Sequence, residues 1–276
     1  MPLYDLSYRR FEGTRTSRFR RSLALAHSAS GLLLKRRSFL MLLAVCWAPA
    51  VVRAAQIYVA RQFPQAPELF TITPDTFREF LVQQVRFLPV VLVSLAAGAS
   101  AIASDFASGA FTVYLSKPIS RFDYVLGKAL PVAGAISAIT LAPALSLLLL
   151  HQSLAPDFQL LSQARWLPLA ITAYSLLLAL YYTILVLAVS SLCRSGRVAG
   201  AGFAALVFGS EIASRMLSSR AFGARPLPSL NRSVMDAGAW FFGESGSFAS
   251  LAFPIAVIVV SALVLLRRLR SGEAAL

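Results

Sequence analysis

WLPLAITAYSLLLALYYTILVLAVSSL, residues Trp166–Leu192, runs without one charged side chain. A helix needs about 20 apolar residues to cross the ~30 Å of hydrocarbon in a bilayer, and this stretch exceeds that. It also lacks the polar face that a surface helix of a soluble protein would show. Its surroundings must therefore be apolar on all sides. Outward from it, five further apolar runs of similar length appear at Phe39–Ala60, Val85–Ala103, Tyr124–Leu150, Val198–Leu217 and Phe248–Leu266. These runs predict an all-α membrane protein of six transmembrane helices.

Composition agrees. Of 276 residues, 57% are hydrophobic and 14% charged, where a soluble domain carries about 25% charged residues. The net charge of +14 would suit nucleic acid, but the basic residues sit beside apolar runs and form no stripe interleaved with aromatics. Membrane topology accounts for them better, and no nucleic-acid partner is expected. The two cysteines, Cys46 and Cys193, and the two histidines, His27 and His151, form no ligand-spaced cluster, so neither a metal site nor a disulfide framework is expected. The first apolar stretch follows a long basic segment and lacks a small-residue cleavage site, so it does not read as a signal peptide.

The chain divides into three parts: a basic segment over 1–37, the six-helix domain over 38–266 and a tail over 267–276. Within the first part, Phe19, Leu23, Ala26 and Leu33 recur at roughly helical spacing. Ser22–Leu34 is too short to cross, which predicts an amphipathic helix lying on the membrane surface with its arginines reaching phosphates. The alternative is a solvated basic tail. Lys117, Arg121, Lys128, Arg194, Arg197, Arg267, Arg268 and Arg270 fall in segments that alternate across the bundle, and the opposite loops carry Glu68, Asp75, Glu79, Asp157, Asp236 and Glu244. The positive-inside rule then places both termini in the cytoplasm.

The segment between the second and third spans, SDFASGAFTVYLSKPISRFDYVLGK over Ser104–Lys128, carries the functional reading. Asp105 sits where a carboxylate favours a helix N-terminus. Phe106, Ala110, Val113 and Tyr114 share one face at helical spacing. Lys117-Pro118 ends that helix, because the residue before proline leaves helical geometry. Ser120 with Asp123 reads as a capping-box variant opening the third span. A short amphipathic helix held between two spans is unstable alone in water. It either docks into a partner protein or rests on lipid.

The same stretch resembles the cytoplasmic loop of ABC-2-type transporter permeases, in which an acidic residue, a glycine step and L-S-K/R-P-x-S-R-x-x-Y-x-x-G-K recur. The matching positions are Asp105, Ser108, Gly109, Leu115, Ser116, Lys117, Pro118, Ser120, Arg121, Tyr124, Gly127 and Lys128. YRRFEG at Tyr8–Gly13 is similar to the opening of one bacterial branch of the family. The family often has glutamate near position 108 where this chain has Ser108, so a charge contact there does not carry over. The resemblance implies a non-catalytic permease subunit of a bacterial inner-membrane ABC transporter, paired with a second permease subunit as a homodimer or heterodimer. It further implies a separate ATP-binding cassette ATPase that holds ATP and magnesium and docks on the loop, with Phe106 on the docking face. Arg121 and Lys128 would anchor the loop at lipid headgroups or contact the ATPase. No cofactor is expected on this chain, which has no G-x-x-x-x-G-K-[ST] phosphate loop.

Four charges fall in or at the edge of predicted spans: Arg53, Arg86, Glu211 and Arg215. Such residues are costly in lipid. They either line a substrate path or form a local Glu211–Arg215 pair, four residues apart, with arginines reaching the boundary. Pro49, Pro89 and Pro143 are expected to kink their spans. ATP-driven export is the leading function. An ABC-linked module doing mechanical or regulatory work is the second, though its loops are short for a periplasmic domain. A membrane-embedded enzyme would need converging catalytic groups, and only His151 with Asp157 offers a start.

Overall fold

The structure is a computed structural model describing residues 18–62, 73–110, 120–154, 164–220, 229–243 and 249–274. Among these residues every regular element is helical: α1 (Arg18–Leu34), α2 (Arg37–Cys46), α3 (Ala48–Gln62), α4 (Pro74–Arg86), α5 (Pro89–Gly98), α6 (Ala103–Ala107), α7 (Arg121–Ile139), α8 (Leu141–Leu154), α9 (Leu167–Leu192), α10 (Gly196–Arg220), α11 (Leu230–Phe241) and α12 (Ala249–Ala274). Five stretches are long and apolar enough to cross a bilayer: Arg37–Ala60, Pro89–Ala107, Arg121–Leu154, Leu167–Leu192 and Ser250–Leu269. The predicted fifth span coincides with α10, a helix of similar length. It is not among those five: Glu211 and Arg215, with the glycines and serines around them, make it less apolar than the others.

The charge-free stretch forms the central helix. The share of the span buried inside the chain is 67% for α9, against 17% for α2–α3 and 22% for α12. Tyr174, Leu178, Tyr181, Tyr182 and Val186 are fully buried, and α9 touches α5, α7, α8, α10, α11 and α12. The two peripheral spans present Val45, Val51, Val52, Val259 and Val260 outward, where apolar side chains belong only against lipid or another apolar surface.

Three spans are bent where the sequence removes a backbone donor or relaxes the helix. The first breaks at Trp47, two residues before Pro49, and the Trp47 indole N–H donates to the carbonyl of Ala138 on α7 at 3.0 Å. The third breaks at Thr140, three residues before Pro143. There the Thr140 hydroxyl donates to the carbonyl of Ile136 at 2.9 Å, the usual way a threonine bends a helix. The second span breaks between Gly98 and Ala103. Beside that break, the Ser190 hydroxyl of α9 accepts from the backbone N–H of Ile102 at 3.1 Å and of Ala103 at 3.0 Å, and donates to the carbonyl of Ala99 at 2.9 Å. One side chain from the central helix thus satisfies three backbone groups freed by the break.

Two helices lie where loops were expected. The second span begins at Pro89, not Val85. Val85 and Arg86 instead end α4, an amphipathic helix that starts with Pro74 at its first position, as proline's fixed φ permits. Leu88, with φ of +74°, makes the sharp turn between α4 and α5. In the expected 218–247 loop, the Ser229 hydroxyl accepts from the Arg232 N–H at 3.2 Å and caps α11. Three tyrosines of α9 hold that helix. Tyr174 and Tyr181 donate to the carbonyls of Val234 and Leu230 at 3.0 and 3.1 Å, and Tyr182 donates to the Asn231 side chain at 2.7 Å.

Candidate functional site: the root of the 104–128 segment

The ends of the 104–128 segment meet in a closed polar cluster. The Asp105 carboxylate at the start of α6 accepts from the Tyr124 hydroxyl at 2.7 Å and pairs with Lys128 Nζ at 2.7 Å through the same oxygen, Oδ2. Lys128 also stands 5.7 Å from the centroid of the Tyr124 ring, within cation–π range. Asp105 is buried and Tyr124 fully so. The side chains of the ion pair are only 12–13% exposed. An ion pair in that setting is short, little screened and costly to open. The structure thus gives Lys128 an intramolecular carboxylate, where a lipid headgroup or an ATPase was expected.

The capping box predicted at Ser120 is present. The Ser120 hydroxyl accepts from the Asp123 N–H at 3.2 Å, and the Asp123 carboxylate accepts from the Ser120 N–H at 3.1 Å. It sets the start of α7, which places Tyr124 and Lys128 one turn apart on the face toward Asp105.

The helix expected from Asp105 through Tyr114 differs. α6 ends at Ala107, Ser108 caps it, and Gly109 adopts φ of +68°, a left-handed conformation that only glycine adopts without strain. Phe106 therefore packs on the core from α6, while Ser108 and Gly109 are exposed beyond its end. Leu115, Ser116, Lys117 and Pro118, with Val113 and Tyr114, lie outside the described residues. Arg121 is half-buried at the first turn of α7.

Gly127 has a packing role that spacing could not reveal. A Cβ there would lie 2.6 Å from Leu25 Cδ2, 2.8 Å from Cγ and 2.9 Å from Cβ. The glycine thus lets α1 approach α7 closely. On the inward stripe of α1, Ser22 and Ala26 are buried and Leu25, Ala29 and Leu33 half-buried, whereas Leu23, assigned to it from spacing, is 50% exposed. Gly127→Leu is expected to push α1 off α7, seen as faster proteolysis within residues 18–34 at unchanged helix content. Leu25→Ala in the same chain should restore only part of the protection, because it removes Cγ and Cδ but keeps the Cβ that stands 2.9 Å away.

The four charges assigned to the spans do not converge. Arg53 donates to the Gln56 side chain at 3.2 Å. Arg86, at the end of α4, pairs with Glu79 at 3.3 Å. Glu211 pairs with Arg215 at 3.1 Å and accepts from the Ser229 hydroxyl at 2.6 Å. Glu211 and Arg215 form the local pair, which also ties α10 to the cap of α11. Among the described residues no bond joins Arg53 or Arg86 to that pair, and no three of His, Cys, Asp and Glu gather as metal ligands.

Residues 33–230, well over half of the chain, match the family described as ABC-2 family transporter protein. This chain belongs to that family. No individually curated protein matches it. The ABC-2 permease is therefore a multi-pass membrane protein, of a kind that is generally the non-catalytic membrane subunit and works with an ATPase subunit. The matched region contains the whole Asp105–Tyr124–Lys128 cluster and α2 through α10. Sequence reasoning named the three cluster residues one by one. It missed Ser190 and Leu25, because each acts on a residue of a distant helix and neither stands in a motif.

Proposed function

We propose that this permease is the membrane subunit of an ATP-driven exporter of the bacterial inner membrane. In this reading it has six spans, with α10 as the fifth, and both termini in the cytoplasm. At 25 residues, α10 is about 37 Å long, enough to cross. Its Glu211–Arg215 pair and the contact with Ser229 reduce the cost of charge in the span. A separate cassette ATPase holding ATP and magnesium docks on the 104–128 segment, and a second permease subunit completes the transporter, against which the outward-facing apolar spans α2–α3 and α12 can pack.

The observation that carries this reading is the closed cluster at the root of the segment. Asp105 bonded to both Tyr124 and Lys128 joins the second span rigidly to the third. A push on the segment between them is then transmitted to two helices that both pack on central α9. An unanchored loop would absorb the same push.

The test uses the full chain with its own cysteines replaced and one cysteine placed at Ser108, which is exposed. The ATPase is expected to co-purify with it from native membranes and to cross-link at that cysteine. An impermeant thiol reagent should fail to label position 108 in intact cells. Labelling from outside, or purification without any ATPase, overturns the reading.

A further inference from the structure

We propose that the groove between α1, α2 and α7 is a binding site for one anionic phospholipid, with an acyl chain against α2 and α7 and the phosphate on Arg20. The groove has a volume of about 800 Å³, within the ~300–1,000 Å³ of sites that hold small molecules. Its polar groups all come from one edge, the α1 residues Arg20, His27 and Ser30, while α2 and α7 contribute apolar wall such as Leu43, Gly134 and Ala138. That division matches a lipid, whose charged head and hydrocarbon tail need different walls.

Two glycines of α7 shape it. At Gly127, α1 lies too close for a Cβ. Seven residues on, on the same helical face, a Cβ at Gly134 would meet nothing within 4 Å. The two helices are therefore pinned at one end and open toward the other, where Trp47 bonds to Ala138.

Charge selects the occupant. Among the described residues no Asp or Glu lines the groove, and Arg20 is exposed along it. Lys35, Arg36 and Arg37 follow, exposed, where α1 turns into α2. A cation at the rim of a groove beside membrane helices attracts an anionic lipid headgroup, and an apolar wall of this extent left to water is unfavourable. The inference rests on the chain spanning a membrane and not on coupling to an ATPase, so either can fail alone. Only the leaflet depends on the proposed topology.

The experiment places the purified full-length chain in nanodiscs of phosphatidylcholine with added phosphatidylglycerol and reads bound lipid by native mass spectrometry. One phosphatidylglycerol per chain is expected to survive release from the disc. Gly134→Leu starts from a Cβ with nothing within 4 Å, extends into the groove and should abolish that adduct at wild-type melting temperature. Arg20→Gln should weaken the preference for phosphatidylglycerol over phosphatidylcholine by about tenfold, the value of one charge-assisted bond. If Gly134→Leu misfolds, the Arg20→Gln preference decides alone. No adduct, an adduct without headgroup preference, or one that persists in folded Gly134→Leu overturns the proposal, as does occupation of the groove by residues 1–17 or by a second copy, which would exclude lipid.

Discussion

Asp105→Asn is expected to lower the melting temperature of the purified permease by on the order of 10 °C and to abolish coupled ATP hydrolysis in the complex. The substitution keeps an oxygen that can accept from Tyr124 but removes the charge facing Lys128 at 2.7 Å. With its side chain only 13% exposed, Lys128 keeps a largely desolvated ammonium that has lost the carboxylate at 2.7 Å. Removing one partner of a buried pair costs about 3–5 kcal/mol, chiefly through the stranded charge. For a chain of this size each kcal/mol corresponds to roughly 2–4 °C. Lys128→Met alone strands the carboxylate instead, and Tyr124 softens that loss by still donating to it. The double variant Asp105→Leu/Lys128→Met removes both charges of the pair, so much of the stability should return, less what the buried Tyr124 hydroxyl loses with its Asp105 acceptor. Coupling should not return with it, because the polar joint between the two spans is gone. Melting curves of the two single variants and the double variant, with ATPase assays of the complexes, separate the effects. Additive losses in the double variant would show that the pair does not act as a unit.

How much of this joint can be read from the chain depends on which contacts are local. The Ser120–Asp123 cap is a three-residue event, and the spacing announces it. That α9 crosses the membrane follows from the absence of charge along its length, but its central position does not, since the equally charge-free run 250–266 of α12 lies at the periphery. The Asp105–Lys128 pair is a contact between residues 23 apart along a chain that turns back on itself, and no periodicity reports that return. α4 and α11 were concealed by their own start signals. Pro74, Pro226 and Pro228 read as loop residues, yet Pro74 stands at the first position of α4, and Pro226 and Pro228 lie just before the Ser229 cap of α11. The face of α11 that carries Val234, Ala237 and Gly238 becomes apparent only against Tyr174. The break at Gly98–Ala103 is the least legible feature. The run AAGASAIA suits a continuous helix as well as a broken one, and the deciding residue lies on another span.

That residue makes the second large prediction. Ser190→Val is expected to destabilise the permease by about 3 kcal/mol, whereas Ser191→Ala, one position along, should cost under about 1 kcal/mol. Both hydroxyls are buried on α9, so burial alone does not distinguish them. Ser191 donates to the carbonyl of Ala188 in its own helix at 2.7 Å, and that carbonyl keeps its place in the helical ladder without it. Ser190 serves the N–H groups of Ile102 and Ala103 and the carbonyl of Ala99, all on the broken second span. Each buried backbone group left unpaired costs about 1–3 kcal/mol, and the branched valine also occupies the space of the lost hydroxyl. The loss should be less than the sum of three, because α5 can straighten toward α6 and recover one bond within its own ladder. Such straightening would carry Asp105 away from Lys128, since α6 follows the break directly. Ser190→Thr keeps the hydroxyl and should hold stability near wild type. A melting temperature for Ser190→Val equal to that of Ser191→Ala would mean that the break is satisfied by other groups. The rigid joint at the base of the 104–128 segment would then not depend on the central helix.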